Sequence, residues 1–99
     1  MTIRRTAEFA KWLKELRDAQ ARFKIVNRLD RLDAGNPGTS RSVGGGVVEL
    51  KIDHGPGYRV YYIQRGTTLT VILCGGDKST QGHDIRRAKL LAANLPDER

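Results

Sequence analysis

The chain has 99 residues, of which 18 are Lys or Arg and 11 are Asp or Glu, giving a formal charge of +7. That length supports one domain over residues 1–99 and excludes a second core. A hydrophobic share of 38% with 29% charged residues, and no apolar run near the roughly 20 residues a bilayer span requires, exclude a membrane anchor, while a single cysteine and two scattered histidines exclude an internal disulfide and a tetrahedral metal set.

The opening Met1-Thr2-Ile3-Arg4-Arg5 lacks the apolar core and small-residue cleavage site of a secretory signal, so a cytoplasmic location is expected. Ile3-Arg4-Arg5 reads as a short first strand. Thr6 follows as the N-cap of a helix, with Glu8 in the first turn where the helix dipole favours an anion. Phe9, Trp12, Leu13 and Leu16 recur at helical spacing and form its buried stripe. Asp18 is placed to cap a second helix carrying Phe23, Ile25, Val26, Leu29 and Leu32, which stops near Gly35-Asn36-Pro37-Gly38. Together they predict a tight helical hairpin. The polar side of the second helix sets Lys24, Arg28 and Arg31 in one row, either a solvated face or a track along a phosphate backbone.

Gly44-Gly45-Gly46 has neither the Lys-Ser/Thr pair nor the strand-glycine-helix order of a phosphate-cradling loop, so it reads as a backbone bend or close approach at the start of a strand. Val47–Ile52 and residues 58–63 are strand segments joined by Asp53-His54-Gly55-Pro56-Gly57, a run of turn residues. Keeping their apolar residues on one face pairs Ile52 with Tyr58, Leu50 with Val60, Val48 with Tyr62 and Lys51 with Arg59. Glu49, Lys51, Arg59 and Tyr61 then share the other face. Two cations side by side call for an anion, which is either a bound phosphate or the diagonal Glu49 carboxylate.

Residues 69–74 are apolar on both faces, as in a central strand covered by helices, with Cys74 as a small buried hydrophobe. The polar run from Gly75 to Asp84 leaves the end of that strand and brings Lys78 within reach of the hairpin patch. Thr80 is placed to cap a last helix through Ile85, Ala88, Leu91, Ala92 and Leu95, ended by Pro96. A helical first third before a strand-rich middle makes an α+β fold.

The charge asks for a polyanionic partner, and because 12 of the 18 cations are Arg, whose planar fork matches phosphate and stacks on bases, nucleic acid leads over an acidic protein. Phe9-x-x-Trp12-Leu13, Val48-Glu49-Leu50-Lys51-Ile52, Gly55-Pro56-Gly57-Tyr58-Arg59-Val60-Tyr61-Tyr62 and Leu73-Cys74-Gly75-Gly76-Asp77-Lys78-Ser79-Thr80-Gln81 together resemble the RelE/ParE toxin superfamily over nearly the whole chain. Within it the chain is similar to the addiction-module killer proteins, the phage Gp49-like and HigB-like branch. The resemblance implies a RelE-like fold: an N-terminal helical hairpin packed on a mainly antiparallel sheet of three to four strands, with a C-terminal helix. It also implies the toxin of a type II toxin–antitoxin module, a metal-free and cofactor-free endoribonuclease that cuts messenger RNA on the ribosome. Its partners would be the ribosome, the message and a cognate helix-turn-helix antitoxin.

Carried over residue by residue, Lys51 and Arg59 match the family's catalytic cations, and Lys78 matches the basic residue after the last strand approximately. The family's C-terminal tyrosine has no counterpart; Gln81, His83 and Asp84 stand there instead. Cleavage by the RNA's own 2′-hydroxyl needs a base, an acid and cations for the phosphorane charge. In this reading Arg59 and Lys78 hold the phosphate, Lys51 assists or takes the proton, and Asp84, His83 or His54 completes the set. Arg28, Arg31, His54, Tyr61 and Gln81 are the expected RNA contacts. The competing readings are a ParE-like poison of DNA gyrase and a non-catalytic nucleic-acid-binding module.

Overall fold

A computed structural model of the protein describes residues 2–96. Its first strand, β1 (Thr2–Arg5), ends at Thr6, whose hydroxyl accepts the Phe9 amide at 3.0 Å and donates to the Leu73 carbonyl at 2.6 Å. One side chain therefore both caps α1 (Ala7–Glu15) and ties its start to a strand far along the chain. Asp18 caps α2 (Ala19–Asp33) by accepting the Gln20 and Ala21 amides on one carboxylate oxygen. The buried stripe of α2 is Ala21, Ile25, Leu29 and Leu32. Phe23 lies two residues off that stripe and is 73% exposed, so it does not belong to the core to which its apolar character assigns it.

The remaining elements are β2 (Ser40–Gly44), β3 (Val47–Ile52), β4 (Tyr58–Arg65), β5 (Leu69–Gly76), a single 3-10 turn at Lys78–Thr80 and α3 (Gln81–Ala93). They form one sheet in the order β1-β5-β4-β3-β2. It has five strands where three to four were expected, and it is mainly antiparallel as expected, mixed only by the parallel pairing of β1 with β5, Ile3 opposite Thr70. The extra strand is β2, which pairs antiparallel with β3 and sets Arg41 opposite Glu49. The glycine run is the turn of this hairpin, with φ of +64° at Gly45 and +79° at Gly46, as a two-residue primed turn requires.

The β3–β4 register agrees with the expected one: Val48 opposite Tyr62, Leu50 opposite Val60, Lys51 opposite Arg59 and Ile52 opposite Tyr58. One face of the sheet buries Leu50, Ile52, Val60, Tyr62 and Ile72 beneath α1 and α2. The other buries Val47, Tyr61, Val71, Leu73 and Cys74 beneath α3. An irregularity between β4 and β5, where Tyr61 pairs with Cys74 and Tyr62 with Ile72, leaves Leu73 as an extra residue, so Leu73 and Cys74 both turn toward α3.

Where β5 passes α1 the chain has no room for a side chain. A Cβ on Gly75 would sit 2.4 Å from the Trp12 ring, which is itself packed against Phe9 and Tyr58 at centroid distances of 5.8 and 6.2 Å. Gly75→Ala is expected to destabilise the fold by about 2 to 3 kcal/mol, since neither the rigid indole nor the strand can yield cheaply. Urea unfolding that returned the wild-type midpoint would show that Trp12 repacks freely.

Candidate functional site

The end of the sheet formed by β2, β3 and β4 carries a shallow cleft of about 270 Å³ lined by Thr39, Ser40, Arg41, Glu49, Lys51, Arg59 and Gln81. Its organising residue is Glu49, which is 3% exposed. Alternation along β3 points Glu49 and Lys51 to the same side, and the register brings Arg41 from β2 and Arg59 from β4 beside them.

Glu49 gathers donors from three elements. Its Oε1 accepts Arg41 Nε at 2.9 Å and lies 3.6 Å from Arg59 Nε, while its Oε2 accepts the Tyr61 hydroxyl at 3.1 Å and Gln81 Nε2 at 2.9 Å. Burial alone pushes this carboxyl up, but the hydrogen bonds from Arg41, Gln81 and Tyr61 outweigh it and hold Glu49 below the ordinary carboxylate value. The carboxylate is thus a fixed anion that orients the cleft. With its oxygens occupied, it is not an open base.

Arg59 is 7% exposed and donates through Nη1 to the Gly57 carbonyl at 2.8 Å. Its buried Nε has no acceptor within hydrogen-bond distance, and the residue lines the cleft. Arg41 keeps 60% of its side chain in solvent although Glu49 holds its Nε. Lys51 is exposed, and among the described residues no carboxylate pairs with it. Three cations around one carboxylate leave the cleft with a surplus of positive charge, the electrostatics of an anion site.

Lys51, Arg59 and Gln81, expected at the site from the sequence, line the cleft. Arg41 was not foreseen, because Ser40-Arg41-Ser42 carries no apolar alternation to mark a strand. Tyr61, expected as an exposed aromatic for RNA, is fully buried beneath α3, and its ring has no face on which a base could stack. Burial, then the Glu49 charge, raises its hydroxyl above the ordinary tyrosine value, and it serves as a donor to Glu49.

The remaining candidates lie outside the cleft lining. Lys78 is exposed on the 3-10 turn, its backbone amide bonded to Pro56, so its loop is fastened to the β3–β4 turn. Asp84 accepts a hydrogen bond from the Thr80 hydroxyl beneath Gly76, and His83 is exposed on the first turn of α3. His54 Nε2 lies 2.8 Å from Asp18 Oδ2, which fastens the β3–β4 turn to the N-cap of α2. Arg31 is exposed on α2, whereas Arg28 turns inward onto backbone carbonyls. Cys74 is buried, and that burial, with Asp84 nearby, pushes its thiol up to about 12, so it is not a nucleophile at neutral pH. Among the described residues no three His, Cys, Asp or Glu side chains converge to hold a metal ion, and no helix is long and apolar enough to cross a membrane.

Comparison with known proteins finds a match to the family described as "Phage derived protein Gp49-like (DUF891)" over residues 11–94. A protein of Haemophilus influenzae (strain ATCC 51907 / DSM 11121 / KW20 / Rd), described as "Uncharacterized protein", is 50% identical over 93 residues, covering 94% of each chain. No solved structure matches.

Proposed function

The chain belongs to the phage-derived Gp49-like family, a family of RelE-like toxin–antitoxin toxins, and from that premise we propose that it is the toxin of a type II module that inhibits translation by cutting messenger RNA on the ribosome. The observation that carries the reading is the cleft in which Arg41, Lys51 and Arg59 converge around the buried Glu49.

In the proposed reaction the message's 2′-oxygen attacks the adjacent phosphorus as the bond to the 5′-oxygen breaks. A cyclic phosphate remains on one fragment and a 5′-hydroxyl on the other. The Arg59 guanidinium and the solvent-facing nitrogens of Arg41 hold the phosphate, and their charge opposes that developing on the phosphorane. The Lys51 ammonium hands a proton to the departing 5′-oxygen. The proton of the 2′-hydroxyl leaves to water or to a ribosomal group, because Glu49 already accepts from Arg41, Tyr61 and Gln81. A site that binds phosphate and supplies an acid but no open base depends on its RNA being held in line from outside, and orientation of that kind contributes several kcal/mol.

The test adds the purified protein to a defined translation reaction with and without ribosomes, maps RNA ends by primer extension, and runs a gyrase cleavage assay beside it. New ends on translated message, lost in Lys51→Ala, are the expected result. Intact message with trapped gyrase–DNA complexes would replace this reading with a gyrase poison. Intact message with neither, but with RNA retained on the protein, would reduce the cleft to a non-catalytic binding surface.

The cognate antitoxin is expected to present an acidic surface to this +7 chain. Steering of that kind makes the association rate fall steeply as salt rises, and stopped-flow rates indifferent to ionic strength would remove the claim.

A further inference from the structure

Arg28 occupies a place in the sheet that a strand amide would ordinarily fill. The Lys51 amide donates to the Thr39 carbonyl at 3.1 Å, which is half of an antiparallel pair. The returning bond, from the Thr39 amide to the Lys51 carbonyl, is not made; Arg28 Nη1 donates to that carbonyl at 2.6 Å instead. Nη2 of the same guanidinium donates to Pro37 at 2.8 Å and to Thr39 at 3.1 Å. The β2 ladder accordingly begins at Ser40, one residue short of the pair that Arg28 has replaced.

The site of this substitution is the rim of the cleft, since Thr39 and Lys51 both line it. Gly38 passes directly over the guanidinium, and a Cβ there would meet Arg28 Nη2 at 3.0 Å. Arg28 Nε is buried without an acceptor, and burial, with the charge of Arg31 nearby, depresses the guanidinium's basicity. A cation held in this way is spent on the protein's own backbone rather than offered to a ligand.

We propose that Arg28 is a positioning residue of the cleft: by holding the Lys51 and Thr39 carbonyls together from below, it sets where the Lys51 amine stands relative to Arg41 and Arg59, and it does not touch RNA. The proposal rests on the function argued above for the chemistry that Lys51 performs. Its geometric part is independent of that chemistry.

Two measurements separate these parts. In the translation reaction, Arg28→Met, shown by circular dichroism to be folded at the assay temperature, is expected to lower kcat about 10- to 100-fold with the salt slope unchanged, the mark of a misplaced group rather than a lost phosphate contact. A salt slope shallower by about one would make Arg28 a phosphate contact and overturn the proposal. Independently of cleavage, inorganic phosphate titrated onto wild type and variant is followed at the Lys51 and Arg59 amide resonances. Binding at least about threefold weaker in the variant is expected from the loss of geometry, and wild-type affinity would overturn the proposal. Should Arg28→Met fail to fold, Arg28→Lys, which keeps the aliphatic stem and one donor, replaces it in both measurements, with a smaller loss in each expected and wild-type values counting against the proposal. Phosphate binding at the cleft without any cut message would remove the proposed function and leave the positioning role to stand or fall on the titration.

Discussion

Glu49→Gln is expected to destabilise the protein by about 3 kcal/mol at neutral pH, the lower end of the range for removing one member of a buried ion pair. The cost arises on the partner. Arg41 has 60% of its side chain in water and simply rehydrates, but Arg59 is 7% exposed and would keep its charge with the Gly57 carbonyl as its remaining partner. The isosteric amide retains the shape of the site, so the loss reports charge rather than packing. The same carboxyl gives the effect a pH signature. Its folded-state value lies below the ordinary 4.5, so its stabilising contribution is complete above that value and is lost as pH falls through the lower folded one. Urea midpoints for wild type are therefore expected to drop on acidification below about pH 4.5, and those of the variant to drop less. Equal stability of the two proteins at pH 7 would show that the Arg59 charge does not depend on Glu49.

A large effect on activity is also expected from Arg59→Lys, which keeps the charge and removes the fork. Arg59 donates to the Gly57 carbonyl through one terminal nitrogen and lines the cleft, and a single ammonium cannot hold that carbonyl and present a planar fork to a phosphate. Loss of one donor aimed at a transition-state oxygen in a site of this kind lowers the rate about 10²- to 10³-fold. Primer-extension rates on translated message measure it, with circular dichroism as the check on folding. A rate within threefold or so of wild type would mean that charge alone suffices and that Arg41 supplies the fork.

The hairpin was legible because its apolar residues alternate: a slip of one residue would have placed Lys51 and Arg59 in the core, so the register had one acceptable solution. The caps at Thr6 and Asp18 were legible for a similar reason, each standing directly before a helical stripe. The strand at Ser40–Gly44 was not, since its exposed serines and arginine gain their place from pairing with β3 rather than from any pattern of their own. With that strand went Arg41. Tyr61 was misread because the sequence shows which residues share a face but not what lies over it; α3 covers Glu49 and Tyr61 and leaves the Lys51 end of the same face open. Arg28 was placed correctly on the helix that faces the sheet, and only the ladder that ends beneath it reveals that its charge is used internally.

The parallel pairing of β1 with β5 bears on how the chain reaches its native state during synthesis. Thr2–Arg5 is made before β5, yet its pairing partners lie there at Leu69 to Ile72, and the Thr6 hydroxyl closes on a carbonyl 67 residues further along. Contacts of that span form late, after two distant segments have been brought together against a large loop-closure entropy. Until then the outer edge of β5 has no strand to cover it, and α1 lacks the anchor that fixes its start. A nascent chain can therefore form the antiparallel ribbon of β2, β3 and β4, with its cleft walls of Arg41, Glu49, Lys51 and Arg59, before β1 finds its place.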